Sequence, residues 1–237
     1  MKKTLIISIL TLITAQLSVA MQGVTIVRYS GTVNVRPGVE ETWQPVTKGQ
    51  ILEEIDTIVT GEDGQVVLQL QNGKTFTLYG NSILDILDLR QITEKELFLF
   101  LMSKKVEQIE PRKEKTRLKV GNVSVVHGEP KSEKEMVASK ESVSDKRGKE
   151  KNGARALYEQ EFYPNTIVKL HKILTKYPDI EDSGEIYFYL GKSFEALKKT
   201  GQALDAYNEA IKKHKDQNSQ AFWIDEAQIA VKKLNQN

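Results

Sequence analysis

The chain of 237 residues has no cysteine, so neither a disulfide nor a thiolate, as nucleophile or metal ligand, can contribute to it. Histidine is nearly as scarce. His127, His171 and His214 are scattered, and no two stand at the spacing that puts a pair of imidazoles on one helix face. There is no phosphate loop and no Gly-x-Ser-x-Gly elbow. Glu53, Glu54 and Asp56 lie close together, but three acids adjacent in sequence do not close an oxygen cage around a cation, and a solvated strand edge is their expected role. These absences predict a protein that is not an enzyme, with no catalytic residues, no cofactor and no metal. Charge of one sign is lacking too: 34 basic residues face 32 acidic ones. No overall field draws in nucleic acid or anionic lipid, and nucleic acid is not an expected partner.

What is present begins with an export signal. Lys2 and Lys3 precede an apolar run from Leu5 to Leu17, interrupted by Ser, Thr, Ala15 and Gln16, and small residues stand at Ser18 and Ala20. That layout predicts a secretory signal peptide over residues 1–20, cleaved after Ala20. A spanning helix needs about 20 consecutive apolar residues. This run is shorter and broken, so no stable membrane span is expected after cleavage, and the expected compartment is the periplasm or cell envelope. No cysteine follows the run, which closes the route to a lipid anchor at a new N-terminal Cys.

The composition then changes along the chain. Residues 24–90 are rich in Val, Ile, Thr and Gly, and residues 154–234 in Ala, Leu, Lys and Glu at helical spacing. Two modules are predicted: an all-β N-terminal domain of short antiparallel strands, sandwich-like or barrel-like, and an all-α helical-repeat module. In the first, Val66, Leu68 and Leu70 alternate with polar residues, Asn72-Gly73 intervenes, and Phe76 and Leu78 resume the alternation. This predicts a hairpin closed by a type I′ turn, because Asn and Gly tolerate the positive φ that such a turn demands. Pro37-Gly38 and Gly61-Glu62-Asp63-Gly64 mark further turns.

The series Gly31, Val33, Val35, Trp43, Val46, Gly49, Leu52, Asp56, Ile58, Thr60-Gly61, Gly64, Leu68, Leu70, Gly73, Leu78, Ser82 and Leu84 resembles the FecR domain. The resemblance implies an extracytoplasmic β-domain over residues 21–128, with its core at 23–89 and further strands at Leu97–Met102, Val106–Ile109 and Arg117–Gly128. Two departures stand out: Ile55-Asp56 where the family has Gly-Asp, and His127-Gly128-Glu129 where it has Arg-Gly-Thr. Only Met1 to Thr4 precede the apolar run, leaving no room for the cytoplasmic anti-sigma segment of FecR regulators, so sigma-factor control is not expected. The run Leu97 to Met102 is compatible by itself with a buried strand or a buried helix. Its lead-in Thr93-Glu94-Lys95-Glu96 has the character of a helix start, whereas the resemblance favours a strand, and a strand is the expectation.

Residues 129–152 are dominated by Lys, Glu, Ser and Asp and are expected to form a charged flexible linker. Beyond them, Tyr187, Leu190-Gly191, Phe194, Ala203, Tyr207 and Ala210 fall in the order of a 34-residue tetratricopeptide repeat, which the segment Glu185 to Lys215 resembles. Gly191 and Ala203 would allow two helices to approach, with Thr200-Gly201 as the break between them. A degenerate copy runs from Ala154 through Leu157, Tyr158, Phe162, Tyr163, Thr166, Leu170 and Ile173 to Tyr177-Pro178-Asp179, and Ala221 to Leu234 reads as a capping helix. The repeat module is thus predicted over residues 153–237. Two repeats and a cap bury little, so the module is expected to self-associate, dock on the β-domain or be held by a partner.

The function expected is protein–protein interaction in the cell envelope, with the FecR-like domain docking on an envelope component and a homo-oligomer as one arrangement. The alternative is an extracytoplasmic sensory or ligand-binding protein related to FecR domains. Tyr187, Tyr189, Phe222 and Trp223 are the candidate partner-binding residues, because aromatics dominate interface hot spots; the alternative is a place in the repeat core, which is the favoured one for Tyr187 and Trp223.

Overall fold

A computed structural model describes residues 23–107, 142–178, 184–215 and 222–236. Its N-terminal part is a β-sandwich of strands β1 (Val24–Ser30), β2 (Val33–Arg36), β3 (Gln44–Pro45), β4 (Ile51–Leu52), β5 (Thr57–Thr60), β6 (Gln65–Gln69), β7 (Thr75–Leu78) and β8 (Ser82–Asp85). They form two antiparallel four-stranded sheets, β4-β1-β6-β7 and β3-β2-β5-β8. The period-two pattern decides which faces meet. Val66 and Leu68 pair across the ladder with Leu78 and Phe76, and all four are fully buried. Ile26 from the same sheet and Val35, Ile58 and Leu84 from the other complete the core between them.

The Asn72-Gly73 hairpin forms, but its turn is not type I′. Only Gly73 takes a positive φ, +80°, while the Gly73 amide donates to the Leu70 carbonyl at 3.0 Å and the Leu70 amide to Lys74 at 2.8 Å. This is a three-residue loop with a glycine bulge, which needs only one left-handed residue. Asp56, expected on a solvated edge, is buried: its two carboxylate oxygens accept from the amides of Gly38 and Glu53, each at 2.9 Å, and so tie two loops together.

After β8 the chain makes a short 3-10 turn at Ile86–Leu89 and enters helix α1, Glu94–Glu107. Leu97–Met102 are therefore helical and not a strand. Thr93 and Glu96 explain why: the Thr93 hydroxyl accepts from the Glu96 amide at 3.2 Å and the Glu96 carboxylate accepts from the Thr93 amide at 2.8 Å, a reciprocal capping box. Once started, the helix buries Leu97 and leaves Phe98 and Leu99 exposed. Val106 and Glu107 continue α1, and the strand expected at Arg117–Gly128 lies outside the described residues.

The chain continues as α2 (Val143–Glu159), α3 (Tyr163–Lys176), α4 (Glu185–Ala196), α5 (Thr200–Lys215) and α6 (Phe222–Leu234). Residues 143–152, expected within the flexible linker, are helical. Ser142 caps α2 by accepting from the Asp145 amide at 3.0 Å, and Arg147, Glu150 and Gly153 are buried within it. Three polar side chains then seat the helices on the sandwich. Gln160 accepts from the Thr77 amide at 2.7 Å and donates to its carbonyl at 2.8 Å, pairing the outer edge of β7. Asn165 donates to the carbonyls of Asp88 and Arg90, and Asn152 to that of Asn81. Ala156 and Leu157 enter the sandwich core, Phe162 meets Phe76 edge-on at 5.5 Å, and Gly153 lies so close to β8 that an added Cβ would strike the Ile83 carbonyl. Docking on the β-domain, one of the three expected ways of stabilising a short repeat array, is present.

The predicted repeat positions pack as their sizes require. Leu190, Phe194, Ala203, Tyr207 and Ala210 are buried, and a Cβ on Gly191 would lie 2.5 Å from the Tyr207 ring. The helix break differs from expectation: Thr200 and Gly201 belong to α5, and the turn is made by Leu197 to Lys199 with Lys198 in the left-handed region at φ +59°.

Candidate functional site

Two surfaces of the helical half gather side chains able to recognise something else. The first is a tyrosine cluster. Tyr158 on α2 lies 5.7 Å from Tyr163 on α3 and 5.3 Å from Tyr189 on α4, ring centre to ring centre. All three are partly exposed. Burial pushes the hydroxyls of Tyr158 and Tyr189 above their ordinary value, so both stay neutral donors at any physiological pH. Beside them, Arg155 and Glu159 form an ion pair at 3.5 Å one turn apart. Rigid rings with polar tips and an adjacent charged pair make a surface suited to a protein partner.

The four aromatics singled out in sequence fall in three kinds of place. Tyr189 belongs to this cluster. Tyr187, two residues away and so on a different face of α4, packs against the helical core, as does Trp223 of α6. Phe222 at the start of α6 is 70% exposed. Tyr158 and Tyr163 were legible only as repeat positions. What assembles them with Tyr189 is the packing of α2 against α4, also marked by the ion pair of Lys151 with Glu185.

The second surface is the seam between sandwich and helices. Lys169 on α3 is buried and its Nζ lies 2.8 Å from Asp85 Oδ2 and 2.7 Å from Asp88 Oδ2. Desolvation opposes its charge, but the two carboxylates outweigh that and hold it above the ordinary lysine value. Burial likewise opposes ionisation of Asp85, yet Lys169, with help from Thr57 and Lys172, keeps its carboxyl below the usual range. Such a lysine is locked as an ammonium and cannot act as a base or nucleophile. Around it lie Lys172, 3.0 Å from Asp88, and Lys176, 2.6 Å from Glu150.

Apart from these surfaces, a concavity of about 680 Å³ opens at the end of the sandwich. Leu52, Ile86 and Leu89 form its floor, and Glu53, Glu54 and Arg90 stand among its walls. Among the described residues no group of His, Asp or Glu is placed to hold a metal ion, and no helix is long and apolar enough to cross a membrane. His171 is partly buried with its ring 5.8 Å from that of Phe100; His127 and the side chain of His214 lie outside the described residues. No family model, no curated protein and no solved structure gives a significant match to the chain.

Proposed function

We propose that the chain is an exported, non-enzymatic protein of the cell envelope that binds a protein partner through its helical module. The signal-peptide pattern of residues 1–20 supports export. The observation that carries the binding role is the tyrosine cluster of Tyr158, Tyr163 and Tyr189, because its rings are held by packing of three helices and yet each side chain stays partly exposed. The β-domain serves in this reading as a rigid base: it covers the face of α2 that a further repeat would otherwise have to cover. The partner surface is then the side of the helices turned away from the sandwich.

Photo-crosslinking in living cells tests this. A crosslinking residue at Glu159, beside the cluster, should give one dominant adduct with an envelope protein, and Tyr158→Ala with Tyr189→Ala should abolish it while the fold persists. Absence of any adduct, an adduct unaffected by those substitutions, or a chain retained in the cytoplasm would each overturn the reading. The sensory alternative, related to FecR domains, draws on the 680 Å³ concavity at the sandwich end. It predicts ligand-dependent thermal stabilisation that Leu89→Arg abolishes.

A further inference from the structure

The seam between the modules holds a cavity of about 130 Å³. Arg36 and Trp43 reach it from the sandwich, and Lys146, Lys169, Lys172 and Lys176 from α2 and α3. Asp85 and Glu150 are its acidic walls. Asp88, behind them, pairs with Lys169 and Lys172, so three carboxylates answer five cations and two positive charges are left over. Clustering like charge in a partly dry space is unfavourable unless an anion completes it.

Arg36 indicates where that anion would sit. Its terminal nitrogen donates to Thr57 Oγ1 at 3.1 Å, and its guanidinium lies over the Trp43 ring at 5.4 Å. Its Nε–H is buried without an acceptor. A buried donor without a partner calls for an acceptor, and an oxygen of a bound ligand is one that could supply it. Arginine supplies the planar fork that matches phosphate oxygens, and the lysines supply point charge. Trp43 keeps 41% of its surface exposed and offers a flat apolar platform beside that fork.

We infer that this cavity binds a phosphate monoester, its dianionic group held by Arg36, Lys146 and Lys172 and its organic part resting on Trp43. The cavity has room for one phosphate group, with the rest of the molecule lying outside it. Two surplus charges match a dianion better than a carboxylate. Because Arg36 and Trp43 belong to the sandwich and Lys146 and Lys172 to the helices, the bound ester would strengthen the seam itself. The inference does not depend on the protein-partner reading.

Titration calorimetry and thermal unfolding of the purified protein in phosphate-free buffer test it, with glycerol 1-phosphate, inorganic phosphate and acetate compared at equal ionic strength. Saturable binding and a raised melting temperature are expected with the ester, weaker with phosphate and absent with acetate. Lys146→Gln and Lys172→Gln, on helix surfaces, should each weaken binding about tenfold or more, as loss of a charge-assisted hydrogen bond does, and Arg36→Gln should abolish it. Circular dichroism establishes that the lysine variants are folded. Equal effects of acetate and ester, no saturation, or unchanged affinity in the folded lysine variants would overturn the inference. Co-sedimentation with phosphatidic-acid vesicles, lost in the same variants, would assign the ester to a lipid headgroup; binding of glycerol 1-phosphate without co-sedimentation assigns it to a soluble molecule.

Discussion

At the scale of single residues, the closest tolerances are set by glycine and histidine. Gly191 of α4 faces the ring of Tyr207 of α5, which is fully buried and whose hydroxyl donates to Glu195 Oε2 at 2.7 Å. The ring cannot retreat without breaking that bond. Gly191→Ala should therefore cost about 1–3 kcal/mol, the usual penalty of overpacking, measurable by chemical denaturation. His171 predicts a pH dependence. Burial, with repulsion from Lys104 added, lowers its imidazole from 6.5 to about 4. The unfolded chain thus takes up the proton first as pH falls, so stability is full above about 6.5 and declines as pH drops toward about 4. At 1.36 kcal/mol per pH unit the loss is about 3 kcal/mol, and His171→Gln should flatten the slope in that window.

At the scale of elements, helix type was legible wherever a local signal and a packing need agreed. The period of α4 and α5 and the small residues between them are examples. Leu97 to Met102 misled because six consecutive apolar residues carry no period, and the deciding signal was the polar pair Thr93 and Glu96 just before them. Residues 143–152 misled for the opposite reason, having almost no apolar character, yet they are helical because Glu150 reaches Lys176 at the end of α3 and Tyr177 just after it, and Lys151 reaches Glu185 of α4. The ion cluster joining α3 to β8 and the turn after it is likewise invisible in sequence, since Lys169 lies more than eighty positions from Asp85 and Asp88. Lys169→Met strands two carboxylates and should cost about 3–5 kcal/mol, whereas Lys169→Met combined with Asp88→Asn should recover much of that in a double-mutant cycle. The contribution of Asp85, its carboxyl lowered, is present above its ordinary 3.8 and is lost as pH falls through its folded value. That of Lys169, raised, is present below its ordinary 10.5 and is lost only as pH climbs through a value higher still.

At the scale of the whole molecule, the two modules form one body. Each carries one tryptophan, Trp43 beside β3 and Trp223 in α6, so Trp43→Phe and Trp223→Phe leave a separate fluorescent reporter on each module. Their denaturation midpoints should coincide, because separating the modules exposes Ala156 and Leu157 from the sandwich core. Gly153→Val, which drives a side chain into the Ile83 carbonyl, should split the midpoints, with the helical module unfolding first. Coincident midpoints in that variant would mean that the close approach of Gly153 to β8 is not what couples the modules.

The amino-acid sequence by itself determined what is local: the alternation that makes the two sheets, the hairpin at Asn72-Gly73, the small and large positions of α4 and α5, and the lack of cysteine that leaves burial as the source of stability. Tertiary structure alone decided what depends on surfaces far apart in the chain. It folded residues 143–152 onto the sandwich, made Asp56 a buried tie between loops, drew Tyr158, Tyr163 and Tyr189 into one cluster, and gathered Arg36 with the lysines of α2 and α3. The reason is physical. Propensity and period act over a few residues, whereas pairing a buried charge or covering an exposed helix face requires a partner whose position only the completed fold supplies.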